Sequence, residues 1–429
     1  MENKTVTLHP SKKLCGSINI LSSKSELHRL IICASLADRE CRIKYCGVLS
    51  NDIHATINCM QNLGAKISTD EQYIYINKTI DKEIYDKKRI CCSESGSTAR
   101  FVIPVAALIC KGGAVIDGCG KLPERPFDDL CECLEKQGAE FTTHRLPTEI
   151  KKTASIHSEL KISGNISSQY LSGLLMAAPL AGGADIRLTT ELTSSGYVDI
   201  TIDAMNTFGI KVKKENNVYH VSGTYKVSDD TVNTGGDWSN AAFFMCAAGE
   251  EKYISINGLS IESLQKDKQI YDLLSDIGFE TRSHENTIFV KRGKNIQPFT
   301  YDAQETPDLV PIISILATSA VGMSTIKNIS RLKFKESDRI KAVCDMINSL
   351  GGIASSDGEN IYIEGNGKLK GGTVNGYNDH RIVMSAATAS VISDGNITIT
   401  DADAVRKSYP DFFECFKKLQ GGKYEQLRQ

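Results

Sequence analysis

The chemistry in this chain gathers where small hydroxylated residues precede apolar runs. Ser22-Ser23-Lys24-Ser25-Glu26-Leu27-His28-Arg29 sets hydroxyls and two cations, Lys24 and Arg29, at the start of an apolar helical run. Backbone N–H groups at such a start, with cations beside them, suit an anion. The same residues also describe a capped helix with surface charges. Glu94-Ser95-Gly96-Ser97-Thr98-Ala99-Arg100 repeats the pattern ahead of Phe101 to Leu108. It resembles a phosphate-cradling turn but lacks the Lys and the spacing of a nucleotide P-loop. Ser167-Ser168-Gln169 opens a third run, Tyr170 to Met176.

Lys335-Glu336-Ser337-Asp338-Arg339 adds acids. On a helix Glu336 and Arg339 are three apart and Lys335 and Arg339 four apart, so acid and cations would share a face. An exposed ion-paired turn fits the same residues. Asn378-Asp379-His380-Arg381 precedes a helix of small residues, and Arg406-Lys407-Ser408-Tyr409-Pro410 lies near the end. His380 taken alone reads as structural. None of the 8 His forms an HExxH pair and no cysteine pair has zinc spacing, so no metal is expected. There is no GxSxG elbow for a serine hydrolase. Phosphate and carboxylate chemistry remains, and it needs no cofactor.

These segments must be held by a framework. A chain of 429 residues is long enough for two or three domains with real cores. A net charge of -2 argues against a general nucleic-acid binder, so a polyanion would have to be met by a local basic site. The 14 cysteines, several inside apolar runs (Cys33, Cys110, Cys246), form no CxxC pair and follow no secretion signal at Met1-Glu2-Asn3-Lys4-Thr5. Buried reduced thiols and a cytoplasmic location are the expectation. The apolar stretch Pro311 to Gly322 is well short of the roughly 20 residues that cross a bilayer, which excludes insertion in a membrane.

The chain also repeats itself. A helix-like segment followed by Gly and, in most copies, a strand-like run recurs with glycines at 64, 138, 209, 278, 351 and 421, spaced 74, 71, 69, 73 and 70 residues apart. Glycine after a helix accepts the left-handed conformation that ends it. Each unit mixes amphipathic helices, as in Leu27, Leu30, Ile31 and Ala34, with β-prone runs such as Tyr73-Ile74-Tyr75-Ile76. Six such units fit one solenoid or two three-unit domains, and periodicity does not choose.

Together and in this order, from Ser23 to Pro410, the motifs resemble the 5-enolpyruvylshikimate-3-phosphate synthase family. The resemblance implies an α/β, two-domain enolpyruvyl transferase fold of six βαβαββ repeats. Residues 1–19 and 236–429 would form a discontinuous domain with the phosphoenolpyruvate-side acids and cations. Residues 20–235 would form an inserted domain with most shikimate 3-phosphate contacts. It implies transfer of the enolpyruvyl group of phosphoenolpyruvate to the 5-hydroxyl of shikimate 3-phosphate, with release of phosphate, by a monomer. By the same resemblance Asp308 is the base at the 5-hydroxyl, Glu336 the proton donor to the methylene, and Lys24 touches both substrates. Gly96, Arg125, Arg339, Arg381 and Lys407 would hold phosphoenolpyruvate. Ser25, Arg29, Ser167, Ser168, Ser194, Tyr197 and Lys335 would hold shikimate 3-phosphate, Gln169 would touch both, and His380 would assist.

The chain departs from the commoner family pattern in places. Glu94 stands where Asn is frequent, Ser97 where Thr is frequent, Leu21-Ser22 where Pro and Gly are frequent, and Arg331 where Asn binds substrate. These changes leave the reaction class intact and bear on inhibitor sensitivity, notably to glyphosate. Two rivals stand beside this reading. The enolpyruvyl transferase that acts on UDP-N-acetylglucosamine shares the architecture and carries a cysteine acid, for which Cys119 in its Gly-rich stretch is the candidate. A non-catalytic phospho-ligand-binding repeat protein would need the anion sites but not the acids.

Overall fold

Five of the six repeat glycines sit where the chain leaves a helix and turns into a strand. Gly64, Gly138, Gly209, Gly278 and Gly351 have φ of 115°, 91°, 77°, 112° and 79°, a region that side chains enter only with strain. Strands Lys66–Thr69, Glu140–Phe141, Lys211–Glu215, Glu280–His284 and Ile353–Ser356 begin two residues after them. The computed structural model describes residues 4–11 and 14–420; the sixth glycine, Gly421, and Met1 to Asn3 lie outside the described residues.

The repeat is plainest in residues 88–152. Strands Lys88–Cys91 and Ala114–Asp117 run parallel, joined by helix Gly96–Ile109; Thr148–Lys152 lies antiparallel to the second, and Glu140–Phe141 lies antiparallel to Thr148–Lys152 at the sheet edge. Among the described residues five sheets of this kind have four strands and a sixth has three. The chain forms two compact units, Met1–Leu21 with Gly235–Gln429, and Ser22–Thr234. Ile20, Leu21 and Gly235 therefore go with the discontinuous unit. Strands near the crossings pair with distant ones: Gly16–Asn19 lies parallel to Ile254–Asn257, and Thr231–Asn233 parallel to Cys41–Lys44. The three-stranded sheet takes Val6–Leu8, antiparallel to Ile397–Ile399, where a repeat hairpin would otherwise stand.

Each unit is built around buried helices. In the inserted unit these are Lys24–Ser35, Gly96–Ile109 and Ser168–Ala177, and in the discontinuous unit Trp238–Cys246, Val310–Thr318 and His380–Ala389. The last three are buried at every position. Lys24–Ser35 was expected to be amphipathic, but Leu27 to Ser35 are buried without a break, so it has no solvent face. A helix sheathed by its own unit keeps charge mainly at an end, where its first N–H groups also need partners. That is why the polar motifs sit at helix starts. Ser23, Ser95, Ser167, Asp237 and Asp379 cap five of these six helices by accepting a backbone N–H.

All 14 cysteines are free thiols, and burial pushes Cys33 up to about 12, which keeps it inert. Among the described residues no helix is long and apolar enough to cross a membrane.

Candidate active site

In the discontinuous unit, Asp308 stands in the 3-10 turn Pro307–Leu309 that leads into the buried helix Val310–Thr318. Its Oδ2 accepts from Arg381 Nη2 at 2.9 Å and its Oδ1 from Arg339 Nη1 at 2.9 Å and Lys335 Nζ at 3.3 Å. Arg381 Nη1 also donates to the Asp308 carbonyl at 3.1 Å. Burial alone would raise this carboxyl, but Arg381, Lys335 and Arg339 overcome it and hold Asp308 well below the usual carboxylate range.

Arg339 is the hub of this cluster, with a side chain only 1% exposed. Besides Asp308 it donates to Glu336 Oε2 at 2.6 Å and, through Nε, to Asp379 Oδ2 at 2.8 Å. Asp379 accepts further from Ser337 Oγ at 2.9 Å and from the Arg381 backbone N–H at 3.0 Å, so one buried carboxylate both holds the Arg339 side chain and caps the helix that carries Arg381. Lys335 loses basicity to burial, although Asp308 opposes the loss. Lys407 is buried and donates to the Asn378 carbonyl at 2.7 Å. His380 is buried next to Asp379.

One expectation here needs correcting. The helix begins at Arg339, with Asp338 as its cap, so Lys335 and Glu336 precede it and share no helical face with Arg339. The chain wraps instead, sending Glu336 to Arg339 and Lys335 to Asp308.

Asp267 was not foreseen. Ser239 at the start of helix Trp238–Cys246 donates to its carboxylate. Burial, and then the nearby Asp308, raise Asp267 to about 6. Its sequence neighbours Lys266 and Lys268 gave no sign that it turns inward.

In the inserted unit the predicted residues form linked groups. Gln169 Oε1 accepts from Arg100 Nη1 at 3.1 Å and its Nε2 donates to Ser97 Oγ at 2.8 Å, which joins the Ser167-Ser168 helix start to the Gly96 turn. A methyl group on Gly96 would lie 2.3 Å from Arg125 Nη1 and 2.6 Å from Arg100 Nη1, so both guanidinium groups crowd over the bare glycine. Arg125 Nε is buried with no hydrogen-bond partner among the described residues.

Arg29 lies deeper than a surface cation. It donates through Nε to Thr201 Oγ1 at 2.6 Å, through Nη1 to the Ser25 carbonyl at 2.6 Å and through Nη2 to the Tyr197 carbonyl at 3.0 Å. Burial pushes it down to about 10. It thereby fastens Ser25 to the helix Ser195–Thr207, whose N-cap is Ser194 in a left-handed conformation with φ 57°. Lys24 pairs with Asp52 at 2.8 Å, a residue with no motif to announce it.

The discontinuous unit sets carboxylates amid cations, and the inserted unit carries three polar helix starts; each arrangement by itself suits an anionic ligand. Solved structures share the arrangement of the chain. An EPSP synthase from Acinetobacter baumannii superposes with a TM-score of 0.79 over 97% of this chain and 98% of that one, at 23% identity. The enolpyruvyl transferase NikO from Streptomyces tendae gives 0.77 over 99% of each, at 15% identity. The fold is that of the enolpyruvyl transferases.

The EPSP synthase (3-phosphoshikimate 1-carboxyvinyltransferase) family profile matches residues 8–416. A 3-phosphoshikimate 1-carboxyvinyltransferase from Clostridium botulinum is 36% identical over 431 residues, covering 98% of both chains. One from Clostridium acetobutylicum is 38% identical over 419 residues, covering 96% of both. The chain belongs to the EPSP synthase family, and its activity is 3-phosphoshikimate carboxyvinyl transfer.

Proposed function

We propose that the chain binds shikimate 3-phosphate and phosphoenolpyruvate and divides the transfer among the residues above. Asp308 takes the proton of the 5-hydroxyl as its oxygen bonds to C2 of phosphoenolpyruvate, and Glu336 gives a proton to the methylene carbon. The tetrahedral adduct then loses phosphate: the C2–O bond to phosphate breaks, a proton returns from the methyl carbon to the Glu336 carboxylate as the enol ether forms, and the proton held by Asp308 leaves with the phosphate. Arg339, Arg381, Lys407, Arg125 and the backbone at Gly96 meet the carboxylate and phosphate of phosphoenolpyruvate. Ser25, Arg29, Ser167, Ser168, Ser194, Tyr197 and Lys335 meet shikimate 3-phosphate. Lys24 and Gln169 serve both substrates, and His380 assists.

The observation that carries this reading is the contact of Asp308 with Arg381, Arg339 and Lys335, with Glu336 on the same Arg339. Three cations keep Asp308 ionised, ready to accept a proton. When anionic substrates engage those cations, less positive charge remains on Asp308 and its proton affinity rises. The free thiols fit an enzyme of the cytoplasm, and we take it as a monomer.

The test is phosphate release from phosphoenolpyruvate with shikimate 3-phosphate or UDP-N-acetylglucosamine supplied separately. Release with shikimate 3-phosphate alone is expected. Release with the sugar nucleotide alone would overturn the substrate assignment.

A further inference from the structure

Helix Asn51–Asn62 supplied no site residue from sequence, yet its first turn faces the start of helix Lys24–Ser35 in two rungs. Asp52 and Thr56 are four apart on one helix, and Lys24 and His28 four apart on the other. On the first rung the Lys24 ammonium donates to Asp52 Oδ2 at 2.8 Å, with the two side chains 15% and 14% exposed. On the second, His28 Nδ1 lies 2.7 Å from Thr56 Oγ1. Thr56 Oγ1 is in turn 2.7 Å from Thr98 Oγ1, and Thr98 donates to Ser95 Oγ at 2.7 Å. Ser95 caps the helix that carries Gly96. One helical turn thus ties Lys24 to the Gly96 turn through largely buried polar contacts. Burial, then the charges of Lys24 and Arg29, hold His28 well below the usual histidine range. At neutral pH it is an uncharged spacer, which leaves Lys24 as the cation that Asp52 meets on this face.

A lysine ammonium is a compact charge on a flexible four-carbon stem, so by itself it has no fixed direction. A carboxylate in hydrogen-bond contact, with little water around either group, gives it one before any substrate arrives. We propose that Asp52 is a positioning residue for carboxyvinyl transfer, fixing the Lys24 ammonium on the Gly96 side of the helix start. The proposal rests on the reading of Lys24 as a residue that touches both substrates.

The experiment is a double-mutant cycle read in kcat and KM for phosphoenolpyruvate on the full chain, with thermal melting to establish folding. Asp52→Asn keeps the shape and removes the charge; kcat/KM is expected to fall roughly 10- to 100-fold with little change in melting. Asp52→Glu, which keeps the charge but moves it by one methylene, is expected to fall between the wild type and Asp52→Asn. In a Lys24→Met background Asp52→Asn is expected to cost nothing further, because Asp52 acts through Lys24. Wild-type kcat/KM in a folded Asp52→Asn variant overturns the proposal, as does the same result in Asp52→Glu if Asp52→Asn does not fold. An equal loss in the Lys24→Met background also overturns it. Full activity of Lys24→Met alone would instead remove Lys24 from the site, and the proposal with it, a pattern distinct from the other two.

Discussion

Arg381 holds Asp308 at two points, the carboxylate at 2.9 Å and the backbone carbonyl at 3.1 Å. With Arg339 and Lys335 it keeps the folded carboxyl below its unfolded value of about 3.9. Such a group adds stability above the unfolded pKa and loses it as pH falls through the folded one. Asp308→Asn is therefore expected to destabilise the protein more at pH 7 than at pH 3. Urea midpoints of both proteins at the two pH values give the difference, and a constant gap would count against the charge account.

Turnover and binding should separate at the acids. Asp308→Ala and Glu336→Ala are expected to lose roughly 100- to 10,000-fold in kcat while still binding shikimate 3-phosphate. Phosphate release paired with calorimetric titration reads both quantities, and unchanged turnover in either variant would overturn its assigned role.

Asp267 shifts the opposite way from Asp308. Its folded pKa of about 6 lies above the unfolded value, so its contribution is full below the unfolded pKa and is lost as pH rises through about 6. The loss is on the order of 3 kcal/mol. Asp267→Asn removes that dependence, so its melting temperature relative to wild type should climb between pH 4 and pH 7. A flat difference over that range would show that the carboxyl does not titrate there.

Gly96 should tolerate a methyl group structurally but not functionally. Its backbone needs no left-handed geometry, and the atoms a methyl would meet are the ends of Arg125 and Arg100. Gly96→Ala is expected to raise KM for phosphoenolpyruvate about tenfold by displacing those guanidinium groups, with little change in melting. An unchanged KM would mean that the arginines do not meet substrate from this position.

Cys119 is exposed in the turn that follows strand Ala114–Asp117. The proposed division of roles gives Cys119 no part in proton transfer, so Cys119→Ser is expected to keep turnover within about twofold, a change of under 0.5 kcal/mol. Abolished turnover would bring back a cysteine acid.

The framework was legible where the backbone itself demands a residue type. Glycines at 64, 138, 209, 278 and 351 betray the repeat because each adopts a φ that other residues resist. Helix starts were legible because caps use few residue types, as Ser95 and Asp379 do. The ion pairs of Asp52 and Asp379 left no mark in the sequence, because their partners, Lys24 and Arg339, lie 28 and 40 residues away and are brought near only by packing. The error over Lys335 and Glu336 had a local cause. Both residues precede the cap Asp338, where helical spacing does not hold and the chain takes other directions.

The pairing of Val6–Leu8 with Ile397–Ile399 has a consequence for synthesis on the ribosome. Thr7 and Thr398 touch through their hydroxyls at 3.0 Å, yet they are 391 residues apart. At about 5–20 residues per second, the amino-terminal strand waits on the order of 20 to 80 seconds for its partner to be made. Ser22–Thr234, by contrast, contains all the strands its own sheets need. Nascent chains should therefore complete the inserted unit first, with the leading strand held in reserve until translation is nearly done.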